Sequence, residues 1–399
     1  GVNGNANGWN VGAISKFRPG DSFGTFSTVI TNLPPAGDHA TDEIVFDRRG
    51  MAYQIVFDRR GMAYFSQGTA TNSGVVGTDD SLSERSSNFH DFAPVRIVLS
   101  GSSYPIPSPS QPTSPYMPFG VSAPAGTVVL AARPTTPQQG IIAGNGTVYS
   151  FNPNAPDPVS TLRLLGWGLR NPYGIGFNPS KPNELFVTNS GADSRGSRPL
   201  INEYDDLFVI DLFAINVRRG QPDFFGWPDF FDDPQTGRRL PALPALPVTN
   251  PLFSANGMTV QPVFASSFSE SLNVKPAVTE LGNHTAVGKF DISTDPQFGL
   301  VGDLFVARTG SLPPGTGATS LVGYDVVSVN PQTGQVSEFL THNGNSPDVI
   351  FNPSSFDKPI DVRFHNNQMF IVDFGVFNTS QPGGIEPYTG KVWKVTRSE

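Results

Sequence analysis

No cysteine occurs anywhere in the 399 residues, which removes disulfides, thiolate metal sites and a cysteine nucleophile at once. There is no basic block either. The 26 Lys and Arg are outnumbered by 34 Asp and Glu, giving a net charge of −8, and a chain without clustered cations has little to offer a phosphate backbone. Nucleic acid is therefore not expected as a partner. No apolar run approaches the roughly eighteen residues that a spanning helix needs, so no transmembrane segment is expected. The chain begins at Gly1 without a Met, which reads as a secreted or periplasmic protein whose signal segment has been removed. The serine nucleophile elbow, the phosphate loop and the dinucleotide fingerprint are also missing.

What the chain has in excess is glycine and proline, 42 and 38 residues, against a usual combined share of roughly 12%. Long helices are excluded by that richness, while 31 Phe and regularly spaced apolar runs argue against disorder and for a turn-rich β protein. One pattern recurs: a polar turn, then a short strand with an early aromatic. Copies start at Gly61, Gly146, Asn183, Asp205, Gly302 and Asn367, and several follow a strand ending in Phe, such as Phe177 or Phe364. Hairpins repeated through a helix-poor chain suggest sheets stacked around an axis, with six blades expected; a large β-sandwich is the alternative. Val11 to Phe17 and Lys391 to Thr396 both alternate as strands, which predicts ring closure by terminal strands that share one blade.

Three stretches break the pattern. Residues 44–53 and 55–64 are the same ten letters, IVFDRRGMAY, separated by Gln54, which predicts a tandem hairpin. Residues 101–126 and 234–264 are rich in proline and read as surface insertions in a single domain spanning 1–399, the first an exposed extended arm. These arms offer a surface for self-association or extracellular assembly. Asn145, Asn283 and Asn378 head glycosylation sequons.

Candidate chemistry gathers in few places. Gly166 to Pro179 reads GWGLRNPYGIGFNP, a loop in which Pro172 restricts Asn171 to extended backbone, so that Arg170 and Asn171 are delivered at a strand entrance. None of the five histidines shares metal-ligand spacing with another. His39 follows Asp38, a carboxylate able to orient an imidazole as a general base; a solvated loop pair is the plainer reading. Asn189 to Asp193 could hold a hard cation or form an Asx turn. Asp229, Asp232 and Asp233, after Phe225-Gly226-Trp227-Pro228, read as solvated turn carboxylates.

Taken together, Gly168 to Gly174, Phe177-Asn178-Pro179, Leu185 to Thr188 and Phe225 to Pro228 resemble the soluble glucose/sorbosone dehydrogenase family. Asp38-His39, Thr71-Asn72-Ser73-Gly74, Gly302 to Ala307 and the closing Lys358 and Lys391 segments support the likeness. The resemblance implies a six-bladed β-propeller with pyrroloquinoline quinone (PQQ) and calcium, oxidising a sugar or related alcohol. It implies that His39 removes the hydroxyl proton while hydride passes to the quinone, that Arg170 stabilises charge on the quinone oxygen, and that Asn171 hydrogen-bonds the cofactor. Calcium would be held near Gly191, Ala192 and Asp193. The late pair of basic residues that holds the quinone carboxylates in sugar-oxidising relatives has no counterpart in Val326 to Val329, and Ser190 stands in place of a longer amide; Arg308 or Lys275 would have to compensate. A non-catalytic propeller acting as a binding or assembly module is the second reading, and a calcium-dependent lactonase the third.

Overall fold

The structure is a computed structural model and describes residues 3–4, 10–16, 27–35, 37–46, 62–76, 89–102, 104, 118–121, 123–193, 198, 200, 203–232, 239–241, 247–248, 258–259, 261–311, 321–342, 357–376 and 386–396. Among them the fold is all-β. Only two short helices, Leu212–Val217 and Ser266–Ser269, and two 3-10 turns interrupt the strands. No helix among the described residues is long and apolar enough to cross a membrane. All six copies of the recurring pattern are strands: Ala63–Gln67, Thr147–Phe151, Glu184–Ser190, Tyr204–Asp211, Leu304–Arg308 and Gln368–Asp373. They do not supply one sheet each, because the first two share a sheet and so do the next two.

The chain divides into two compact units, one of residues 1–172, 192–201 and 212–276, the other of residues 173–191, 202–211 and 277–399. In the first unit a five-stranded sheet runs Asp223–Phe224, Arg163–Trp167, Thr147–Phe151, Ala63–Gln67, Thr41–Phe46. Its central strands Thr147–Phe151 and Ala63–Gln67 are buried along their whole length. Phe46 of the first repeat copy pairs with Ala63 of the second, and the rest of the tandem hairpin, 47–61, lies outside the described residues.

In the second unit three sheets show what the recurring strand pattern is for. Successive side chains of a strand point to opposite faces. In Leu304–Arg308, Leu304 and Val306 enter a core with Phe186, Leu207 and Val327, while Phe305 and Ala307 enter another with Val362, Met369 and Ile371. The middle sheet thus packs on both faces. Phe305 anchors the second core through edge-to-face contacts with Phe339 at 4.7 Å and Phe364 at 5.3 Å.

Two expectations are corrected. The terminal strands do not share a sheet: Lys391–Val395 pairs with Gln368–Asp373, whereas Asn10–Lys16 lies between Asn3–Gly4 and Ser27–Leu33. Asn10–Lys16 pairs with Ser27–Leu33 along most of its length and with Asn3–Gly4 at Asn10 and Val11. Nor are the proline-rich stretches wholly on the surface. Tyr104 and Phe119 from the first are buried with Trp227, Phe230 and Phe264, and the Tyr104 hydroxyl donates to Pro262 O at 2.5 Å. Aromatic side chains draw both insertions inward; the remainder of each lies outside the described residues.

Asp229 also departs from its expected place as a solvated turn carboxylate. It is 2% exposed and accepts from Arg198 Nη2 at 2.7 Å and from the Val263 and Phe264 N–H groups. Arg198, equally buried, also donates to the carbonyls of Ser73, Pro228 and Gln261. Asp232 and Asp233 carry no described side chain. Removing one partner of a fully buried ion pair strands the other charge. Asp229→Ala is therefore expected to cost about 3–5 kcal/mol in urea denaturation; a loss below about 1 kcal/mol would show that the pair is not what holds these loops.

Candidate functional site

The Gly166–Pro179 stretch enters the structure as the end of the Arg163–Trp167 strand, a turn, and the strand Asn171–Phe177. Gly168 makes the turn with φ +78°, and a Cβ there would sit 2.4 Å from the Phe224 ring, so only glycine fits. Phe225 and Trp227 donate their N–H groups to Trp167 O and Gly168 O, which ties the Phe225–Pro228 motif to the same turn. Asn171 opens its strand half-buried, and Pro172 is tolerated because the strand is at the edge of its sheet.

Thr69 joins the two expected catalytic residues. Its N–H donates to Arg170 O at 2.9 Å, and its carbonyl accepts the His39 N–H at 3.0 Å. Arg170 and His39, 131 positions apart by numbering, are thereby attached to opposite sides of one residue. Gly68 makes room, because a Cβ there would lie 2.3 Å from His39 Cβ. The imidazole Nδ1 stands 3.2 Å from Thr69 O and 3.3 Å from Thr69 Oγ1. A carbonyl can only accept, and the hydroxyl gives its own proton to Thr71 O at 2.7 Å. Both therefore take the proton of Nδ1, which places the basic lone pair on Nε2. Asp38, expected to orient the imidazole, donates its N–H to Ala70 O.

Arg170 is 4% exposed, and its Nη2 donates to Asp193 Oδ2 at 2.8 Å. Asp193 is clamped in turn by the Asn72 amide, which accepts its N–H and donates to its carbonyl, both at 2.8 Å. Asn72 O accepts the indole N–H of Trp227 at 3.1 Å. The contacts close a ring from Thr69 to Arg170, to Asp193, to Asn72 and back along the chain to Thr69. In the sequence the Thr71–Gly74 loop supports the likeness without showing a task, and nothing local marks Thr69 or Asp91. The available signal for the loop was the clustering of small hydroxyl and amide residues before Gly74.

Beneath the ring lies Asp91, 1% exposed. Its carboxylate accepts the Ala70 N–H at 2.7 Å and the Thr71 hydroxyl at 2.5 Å. Burial pushes this carboxyl from 3.8 up to about 7, the hydrogen bonds from Thr71 and Ala70 oppose the rise, and the charge of Asp38 adds to it.

The described side chains lend the expected calcium site no support. Gly191, in the second unit, gives its N–H to Asp205 Oδ1 at 2.9 Å. In the first unit Ala192 is fully buried, and the Asp193 carboxylate carries a guanidinium while its carbonyl accepts from Asn72. A hard dication needs anionic oxygens that are not already beside a cation. Among the described residues no three His, Asp or Glu side chains converge to hold a metal. The cations proposed to compensate at the quinone carboxylates are engaged as well: Arg308 makes a two-pronged pair with Asp325, and Lys275 Nζ lies 3.4 Å from Asp223.

No family model matches the chain, and no curated protein matches it. Among solved structures it is similar to the holo PQQ domain of pyranose dehydrogenase from Coprinopsis cinerea, with 14% identity, 92% of this chain and 73% of that chain covered, and a TM-score of 0.49. It is also similar to the PQQ-bound aldose sugar dehydrogenase of Streptomyces coelicolor, with 12% identity, 99% and 92% coverage, and a TM-score of 0.37.

The Asp91 geometry has a measurable consequence. The folded state keeps a proton that the unfolded chain has already released, so the stability this group contributes is full below about pH 4 and is lost as pH rises to about 7. Urea midpoints across that window should fall less steeply in Asp91→Asn than in the parent; equal slopes would overturn the assignment.

Proposed function

We propose that the protein is an oxidoreductase acting on a sugar or a related alcohol, with PQQ as the electron acceptor and the sheets arranged as a six-bladed propeller. The observation that carries this reading is the Thr69 link, which holds a tautomer-fixed imidazole and a buried guanidinium in one hydrogen-bonded unit. PQQ, when bound, supplies a two-electron hydride acceptor. His39 Nε2 takes the hydroxyl proton of the alcohol, and the negative charge of Asp38 beside it favours the imidazolium that results. Arg170 supplies fixed positive charge where negative charge develops on the acceptor. Asp193 and the Asn72 clamp keep that guanidinium from turning away, and Asn171 offers its amide for hydrogen bonding. No step is assigned to calcium. As part of the same reading the protein works outside the cytoplasm.

A non-catalytic binding or assembly module is the second reading, and it too has its observation. Arg170, Arg308 and Lys275 are each beside an aspartate, which leaves less net positive charge for a tricarboxylate.

One experiment separates them. Titration of PQQ into the purified protein is expected to release heat, and the loaded protein to reduce a dye with an aldose or a simple polyol. His39→Gln should lower turnover by about 100-fold or more while leaving quinone affinity within a few-fold. Absence of both quinone binding and turnover across a broad sugar and alcohol panel would leave the module reading standing.

A further inference from the structure

The arginines of the first unit are of two kinds. Arg170, Arg198 and Arg218 each hold an aspartate within 2.8 Å. Arg96, Arg133, Arg163 and Arg219 have no carboxylate partner among the described residues, and of these Arg133 and Arg163 line a cleft of about 590 Å³ that belongs wholly to this unit. Its volume falls within the range of small-molecule sites, about 300–1,000 Å³.

The Arg163 guanidinium and the Arg133 backbone are each held in place. Arg163 opens the Arg163–Trp167 strand and spends one nitrogen on its neighbours, with Nη1 donating to Asn216 Oδ1 at 2.9 Å. Gly220, at φ +83°, lies against the same guanidinium, where even a Cβ would come within 3.5 Å of Nη2. Arg133 is fixed through its backbone: its N–H donates to Thr136 O at 3.3 Å and its carbonyl accepts the Thr136 N–H at 3.0 Å, closing a tight turn over Pro134. Burial pushes the Tyr149 phenol on the cleft wall up to about 12, opposed by its hydrogen bonds with Gly144 and Thr147 and, less, by the charge of Arg133. Asp157, the one acid among the described residues of the cleft wall, is exposed, and its Oδ1 accepts the Ser160 N–H at 3.4 Å. Two cations against one anion make the cleft locally positive in a chain of net charge −8.

The rest of the wall is apolar. Val159, Leu162 and Leu164 pack on the core of Phe65, Tyr149 and Phe151 yet remain only partly buried, and all three line the cleft. Apolar surface of this kind gains by being covered, whereas an unpaired guanidinium beside it asks for a planar anion that it can meet with two parallel N–H groups.

We propose that this cleft binds a small organic carboxylate with an apolar body, its carboxylate taken by Arg163 with Arg133 adding charge, and its ring or chain lying on Leu162 and Leu164. The site is independent of His39 and Arg170 and of what they do.

Benzoate is the probe, benzyl alcohol its neutral counterpart, and calorimetry on the intact chain the measurement. Benzoate should bind at least about tenfold more tightly than benzyl alcohol, and Arg163→Gln should remove about tenfold of that affinity. Added salt should weaken benzoate binding, and Leu162→Trp, which fills the cleft without touching charge, should abolish binding of both. Parent-like melting of the variants would show that they fold. Failure of benzoate to bind, equal binding of the alcohol, or unchanged affinity in Arg163→Gln would overturn the proposal.

Discussion

A buried backbone N–H must find an acceptor, and in this chain the demand is met repeatedly by aspartate. Asp91 accepts from Ala70 and Asp229 from Val263 and Phe264 in the first unit. In the second, Asp205 accepts from Gly191, Asp291 from Phe364, and Asp373 from Asp357, Lys358 and Gly375. A chain so rich in glycine and proline has long stretches outside strands, and burying them would be costly without such acceptors. Most of these carboxylates replace the ladder that an irregular segment lacks, while Asp291 serves the strand residue Phe364. Acidic composition thus has an internal structural use as well as a surface one.

Several of the carboxylates stand at or near strand ends, and the candidate site is assembled from loops that follow strands. Thr69 follows Ala63–Gln67, Arg170 follows Arg163–Trp167, and Asp193 follows Glu184–Ser190. The strands fix where each loop begins. What each loop then presents is set by side chain to backbone bonds, such as the Asn72 amide on the Asp193 peptide. Rigid strands and polar loop clamps are complementary ways to hold a few side chains in place.

Which parts were legible in the sequence follows from the same division. Leu304 to Ala307 could be read as a strand because alternation is a local property of consecutive residues, and its two-core role needs only the period of two. The strand entrance at Asn171 was legible through Gly168 and Pro172, whose backbone restrictions are also local. Asp229 was misread as solvated because its acceptors' partners, Arg198 and Val263, lie 31 and 34 positions away. Nor does anything local in Asn189 to Asp193 show that Arg170 and Asn72 meet the aspartate. Tyr104 and Phe119 lay in a proline-rich stretch whose composition suggested exposure, and only the distant Trp227 and Phe264 reveal where they go.

Thr69 divides its work between atoms of different ancestry. The distance between His39 and Arg170 is governed by its peptide groups, which any residue but proline would bring; the second contact to the imidazole is governed by its hydroxyl, which only a few residues carry. Spacing and proton placement can therefore drift apart during divergence. A descendant with valine at this position would keep the same two residues at the same separation while losing one of the two acceptors that decide which ring nitrogen is basic.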